Sequence, residues 1–336
     1  MTAPKNVPAL DGWRGLAIIL LLAGHFTPLP GINLGRVGVS LFFVLSGMLM
    51  ARLLFVDRVA LPHFYRRRIA RIVPAHLVFL ALTSLAWLAL GLPLRLAEVW
   101  PPLFFINNYV FTNTVQFGHI WSLSVEEHSY IVLSLAAGAA RRFRAAPLLL
   151  LGGLCAASAL LVIFYHQRYQ GPALYQMMLH SEVAAFGLLF SSFLCVWFAR
   201  RGIPATPWPV VPLLLGLGLG LHWWSVPPVV GLLGGVGALA LGVNLLPRTG
   251  ALAQRAFSLP ILRLCGLASF SLYLWQQPFY VARLDGGLAL PLALAGAVGM
   301  GLLSYHLVEN PARLFLNARW GAAQRKGGPA GTSLPS

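Results

Sequence analysis

Apolar residues recur in runs of about 20 along nearly the whole chain, long enough to cross a bilayer as helices. Ten runs stand out, near 13–30, 37–55, 72–92, 119–138, 146–165, 180–199, 208–224, 227–246, 264–282 and 287–308. The short alternating segments of a membrane β-barrel are not part of the pattern. It therefore predicts an all-α, polytopic transmembrane helical bundle, with a single membrane domain over 1–320. A Gly/Pro/Ser-rich tail over 321–336 is expected to be disordered. The stretch 99–111 is apolar but too short to span, which suits an outer-face or re-entrant segment covered by protein. Asp11 and Arg14 crowd the start of the first run, and Pro28 and Pro30 end it without a clear small-residue cleavage site. That run is read as a retained span, not a cleaved leader. Glycines clustered at Gly216, Gly218 and Gly220, and at Gly231, Gly234, Gly235 and Gly237, suit close helix packing.

Composition agrees with the pattern. Of 336 residues, 58% are hydrophobic and 10% charged, where soluble domains carry about 25% charged residues. Mean hydropathy is +0.76. A disordered chain, a nucleic-acid module and an ordinary cytosolic enzyme are excluded. The net charge of +16 comes from 24 Lys and Arg against 8 Asp and Glu, and the excess lies between the apolar runs. With the N-terminus in the cytoplasm, only Arg36, Arg95, Arg168 and Arg283 fall outside and the other 20 fall inside. The positive-inside rule then places both termini in the cytoplasm and explains the charge without a nucleic-acid partner. Cys155, Cys195 and Cys265 lie in or beside apolar runs with no paired spacing and are read as buried small hydrophobes.

Polar groups inside the runs carry the candidate chemistry, because each is costly there unless paired. His25 lies deep in the first run. Arg14 precedes it by eleven residues, close to three full helical turns, so the two share a face about 16 Å apart along the axis. Arg68 and Arg71, in the basic segment Tyr65-Arg66-Arg67-Arg68-Ile69-Ala70-Arg71, are i,i+3 neighbours that can address one spot. Their planar guanidinium groups suit phosphate oxygens, although topology and anionic lipid headgroups also account for a basic cluster here. In Trp121-Ser122-Leu123-Ser124-Val125-Glu126-Glu127-His128 two adjacent carboxylates sit inside an apolar span. Either can orient an imidazole or pair with an arginine. Glu182 with His180, and Glu309 with His306, lie near run ends and are read as structural or interfacial. No phosphate-binding glycine loop, zinc-protease helix or serine-hydrolase elbow is present, and the nine histidines lack metal-ligand spacing.

These elements resemble the acyltransferase 3 family of bacterial integral-membrane O-acyltransferases. The resemblance rests on Arg14-x10-His25, on Gly35-Arg36-Val37-Gly38-Val39-Ser40-Leu41-Phe42-Phe43-Val44-Leu45-Ser46-Gly47, on Arg68-x-x-Arg71 and on Trp121 to Tyr130. Weaker echoes occur at Ser271-Leu272-Tyr273-Leu274-Trp275 and at Glu309-Asn310-Pro311. Together they cover about 10–315. Two departures stand out: Gln276 occupies a position where the family often has histidine, and His128-Ser129 replaces its usual Gln-Phe.

The resemblance implies transfer of an acyl group, usually acetyl, from acyl-CoA to a hydroxyl of a sugar, a lipid-linked glycan or a related acceptor, in the bacterial inner membrane. Arg14, Arg68 and Arg71 would hold the phosphates of acetyl-CoA or another acyl-CoA. His25 would act as general base or covalent acyl carrier, and Glu126 or Glu127 would orient or balance the imidazole. No metal is implied. A polytopic transporter or flippase is the rival, since buried His, Glu and Arg also mark solute and proton paths; against it, the halves show no obvious inverted repeat.

Overall fold

The computed structural model describes residues 7–110 and 115–326. Among them, every regular element is a helix, and pairing between extended segments is limited to isolated bridges. The first elements are α1 (Pro8–Phe26), α2 (Leu34–Ala51, prolonged by a π turn over Arg52–Val56), α3 (Leu61–Ala89), the short α4 (Leu96–Leu103) and α5 (Ile120–Arg142). Each of the ten predicted runs overlies helix. Seven helical stretches are individually long and apolar enough to cross a membrane: those over α1, α2 and α3, then Pro147–Arg168, Ser181–Arg201, Pro228–Arg248 and Leu290–Trp320. The helix α5 falls outside that group because Glu126, Glu127 and His128 lower its hydropathy. The chain is an all-α, multi-pass membrane protein.

Two runs are shorter as helices than the pattern suggests. The seventh stops at Gly220, beyond which 221–226 turn back on themselves. The ninth is divided at Ala268 into Pro260–Leu267 and Ser269–Leu284. The 99–110 part of the apolar stretch after α3 is only partly covered by protein: Pro101, Pro102, Asn107 and Asn108 are buried, with His76 Nε2–H of α3 donating to the Pro102 carbonyl at 3.0 Å, while Trp100, Leu103, Phe104 and Tyr109 are exposed. Residue 111 lies outside the described residues. The last helix, Asn310–Lys326, enters the expected tail, and 327–336 lie outside the described residues. The three cysteines are free and half-buried rather than fully enclosed.

The helix α2 is the inner staff of the bundle: 67% of its apolar window is buried, against 22% for Pro147–Arg168, which lies at the periphery. Lipid tails are as apolar as leucine, so close packing rather than hydrophobic burial must hold such helices together. At Gly24 of α1 an added Cβ would sit 2.1 Å from the Gly35 nitrogen of α2, so the backbones meet where no side chain fits. Farther along, Gly38 faces Ala17 and Leu21. The register shows α1 and α2 antiparallel. Fully buried Trp13 locks their other end by donating its indole N–H to the Leu41 carbonyl at 3.1 Å. On another side of α1 the Ser269–Leu284 helix runs parallel to it: Arg14 shares a cavity with Ser269, Phe270 and Tyr273, and His25 meets Gln276 and Tyr280.

Candidate active site

A cavity of about 110 Å³ opens between α1, α2, α3, α5 and the Ser269–Leu284 helix. Arg14, Arg68 and Arg71 all line it. Helical geometry brings Arg68 and Arg71 to it from one face of α3. Three residues on, Pro74 has no N–H for the Ala70 carbonyl, which loosens the helix beside these arginines. Two of the arginines are held from behind. Arg14 pairs with Asp11 at 3.2 Å one turn earlier. Arg68 reaches Glu127 Oε1 at 3.5 Å and lies over the buried Tyr130 ring, 3.8 Å from its centroid. Glu126 lines the cavity and accepts from Ser46 Oγ at 2.7 Å. The lining thus carries three guanidinium groups and one carboxylate, an arrangement that suits a polyanion.

His25 stands elsewhere. It lies eleven residues beyond Arg14 on α1, about 16 Å along the axis, and does not line the cavity. Its ring stacks on Tyr280 with centroids 4.7 Å apart. Its Nδ1 is 2.6 Å from Gln276 Oε1. Gln276 turns its NH2 to Gln277 Oε1 at 3.2 Å, and an amide oxygen can only accept, so the proton sits on His25 Nδ1. The Nε2 lone pair is left free and faces Gly35, where a Cβ would lie 3.4 Å from it. Between the two regions stands Tyr273, which lines the cavity one turn before Gln276. Its hydroxyl donates to the His119 carbonyl and accepts from Ser122 Oγ at 3.0 Å.

Arg14, Arg68, Arg71 and Glu126 therefore converge, with Glu127 behind Arg68. Neither glutamate touches His25. Of the two roles open to them, pairing with an arginine is the one Glu127 adopts, and a neutral amide orients the imidazole instead. Sequence reasoning passed over three contributors. Gln276 had registered only as a departure from a familiar motif, although a buried amide so close to a family histidine position was a usable signal. Ser46 sits near the end of a motif whose other residues, apart from Arg36 and Ser40, are apolar or glycine. Glu309 had been read as structural or interfacial. It is buried on the π turn Tyr305–Glu309, where it accepts from Ser271 Oγ at 2.7 Å; π turns recur at functional sites.

Comparison with known proteins identifies the family. The family described as Acyltransferase domain (acyltransferase 3) matches residues 7–308. The chain is 28% identical to a putative membrane-bound transacylase, BcsY, of Komagataeibacter xylinus, over 96% of this chain and 88% of that protein. It is 29% identical to O-acetyltransferase OatA of Staphylococcus aureus over 40% of this chain, and 30% identical to peptidoglycan O-acetyltransferase OatA of Listeria monocytogenes over 38%. Those matches span only about a quarter of each OatA protein (25% and 24%). No solved structure matches. The chain belongs to the acyltransferase 3 family.

Proposed function

From that membership, we propose that the protein transfers an acyl group, most simply acetyl, from cytoplasmic acyl-CoA to a hydroxyl of a cell-envelope carbohydrate or lipid-linked acceptor. It does so in the bacterial inner membrane with both termini in the cytoplasm. The observation that carries the reading is the meeting of Arg14, Arg68 and Arg71 in one cavity on the helix that also bears His25. Coenzyme A is a polyanion with its thioester on a long thin arm. The arginines hold its phosphates, and the arm extends along α1 past Tyr273 toward His25.

His25 Nε2 then takes the proton of the acceptor hydroxyl as that oxygen attacks the thioester carbonyl. The new C–O bond forms, the C–S bond breaks, and the leaving thiolate takes the proton from the imidazolium. Covalent passage through an acyl-imidazole uses the same lone pair in two balanced steps. Glu126 and Glu127 serve this chemistry by fixing the arginines and the charge of the donor cavity. Mass spectrometry of envelope glycans from cells with and without the protein tests the reading. An acetyl-sized increment that disappears with the protein is expected; unchanged glycans, with acyl-CoA-independent solute movement in vesicles, would establish a transporter instead.

A further inference from the structure

Beyond His25 the segment after α1 is tied to the turn that follows Val210–Gly220. Trp224 N–H donates to the Gly31 carbonyl at 2.7 Å, and Ile32 pairs with Trp223. Gly31 has φ +87°, and a Cβ there would press to 2.5 Å against the Trp223 indole. Two segments far apart in sequence thus make one wall. Against it lies a second cavity of about 200 Å³, whose lining includes Asn33, Arg36, Tyr175, His222, Trp223 and Trp224.

Arg36 is the unexplained group. It is half-buried, yet no carboxylate lies within 4 Å of it among the described residues, and its side chain makes no hydrogen bond to them. A half-buried cation with no ionic partner, facing a cavity, suits an anion. The neighbouring groups narrow the choice. Indole and phenol rings offer flat apolar faces with polar edges. Asn33 spends its Oδ1 on capping α2 at 3.0 Å, which leaves its NH2 to donate. His222 commits Nδ1–H to the Gly218 carbonyl at 2.6 Å, which leaves Nε2 to accept from a hydroxyl. An anion flanked by an aromatic face, a donor and an acceptor matches a charged sugar ring. Asn33 of this lining also approaches His25: a Cβ on Gly35 would lie 3.3 Å from Asn33 Oδ1 and 3.4 Å from His25 Nε2, so both groups flank the space above Gly35.

We propose that this cavity binds the acceptor through a pyranose bearing an anionic group, carboxylate or phosphate, with Arg36 as its charge partner and Trp223 beneath the ring. The word acceptor rests on the acyl-transfer reading; the binding preference does not. The test uses the full-length protein in phosphatidylcholine nanodiscs at low salt, titrated by saturation-transfer NMR with methyl glucuronide, glucose 1-phosphate and methyl glucoside. At least one anionic probe is expected to bind about tenfold or more tightly than the neutral glucoside, as a charge-assisted contact requires, and the two anionic arms distinguish carboxylate from phosphate. Arg36→Gln should erase that preference. Arg36→Lys, which keeps charge but loses the fork, should keep part of it, and it stands in if the glutamine variant does not fold. His25→Ala should keep the preference for the anionic probes while losing acyl transfer; a parent protein that shows the preference but transfers no acyl group would reject the acyl-transfer reading and leave the binding proposal standing. Equal affinity for charged and neutral probes, a preference that survives Arg36→Gln, or displacement of the sugars by phosphatidylglycerol in the disc would overturn the proposal.

Discussion

Replacing Gln276 by leucine removes the acceptor that fixes the His25 ring while leaving its volume nearly unchanged. Gln276 is fully buried and accepts the Nδ1 proton at 2.6 Å. Stranding a buried donor costs about 1–3 kcal/mol, and at 1.36 kcal/mol per factor of ten this corresponds to roughly a 5- to 150-fold fall in kcat. The donor cavity is about 16 Å away along α1, so KM for acyl-CoA should stay within about twofold of the parent value. Gln276→Glu supplies a carboxylate oxygen at the same place and should recover most of the loss, whereas a purely structural role would be served no better by glutamate than by leucine. The assay is acetyl-CoA turnover by the purified protein with a glycan acceptor, followed by chromatography of released CoA. Equal losses in both variants, or a rise in donor KM without a change in kcat, would refute the orienting role.

Arg68→Gln and Arg71→Gln should each weaken acyl-CoA binding by about 10- to 100-fold, the worth of a charge-assisted contact of roughly 1.5–3 kcal/mol; calorimetric titration of the purified variants checks this, and unchanged affinity with altered insertion would make the arginines topological. Glu127→Gln removes the carboxylate 3.5 Å from Arg68, so donor affinity should fall less than in Arg68→Gln, and the loss should shrink as salt screens the site. Gly24→Val forces a Cβ to 2.1 Å from the Gly35 nitrogen, so the variant should unfold at clearly lower temperature or fail to accumulate, as read by a detergent-phase thermal shift.

The helices were legible because a bilayer imposes a length and a polarity on every span. The runs at 37–55 and 146–165 fall almost on Leu34–Val56 and Pro147–Arg168. Two boundaries escaped for local reasons. The seventh run remains apolar through Trp223 and Trp224, but the Trp223 ring packs on Gly31 and the Trp224 N–H bonds its carbonyl instead of prolonging the helix, contacts no local pattern reveals. The ninth breaks at Ala268, just after Gly266 lets that helix press on the Asp11 carbonyl of α1.

The candidate site was legible where one helix carried the relation. Arg14 with His25, and Arg68 with Arg71, follow from periodicity alone. Contacts between helices were not. That His25 meets Gln276 across 251 positions, and that Glu126 meets Ser46 across 80, depends on which spans neighbour each other. The same holds for Glu309, whose isolated position near a run end concealed its contact with Ser271.

The central claim separates anchoring of the donor from chemistry at His25. The measurement that tests it most directly compares acetyl-CoA binding and acetyl transfer in purified His25→Ala, since His25 does not line the arginine cavity. Binding at the parent affinity with transfer abolished is the predicted result. Transfer that persists, or donor binding lost together with transfer, would contradict the claim.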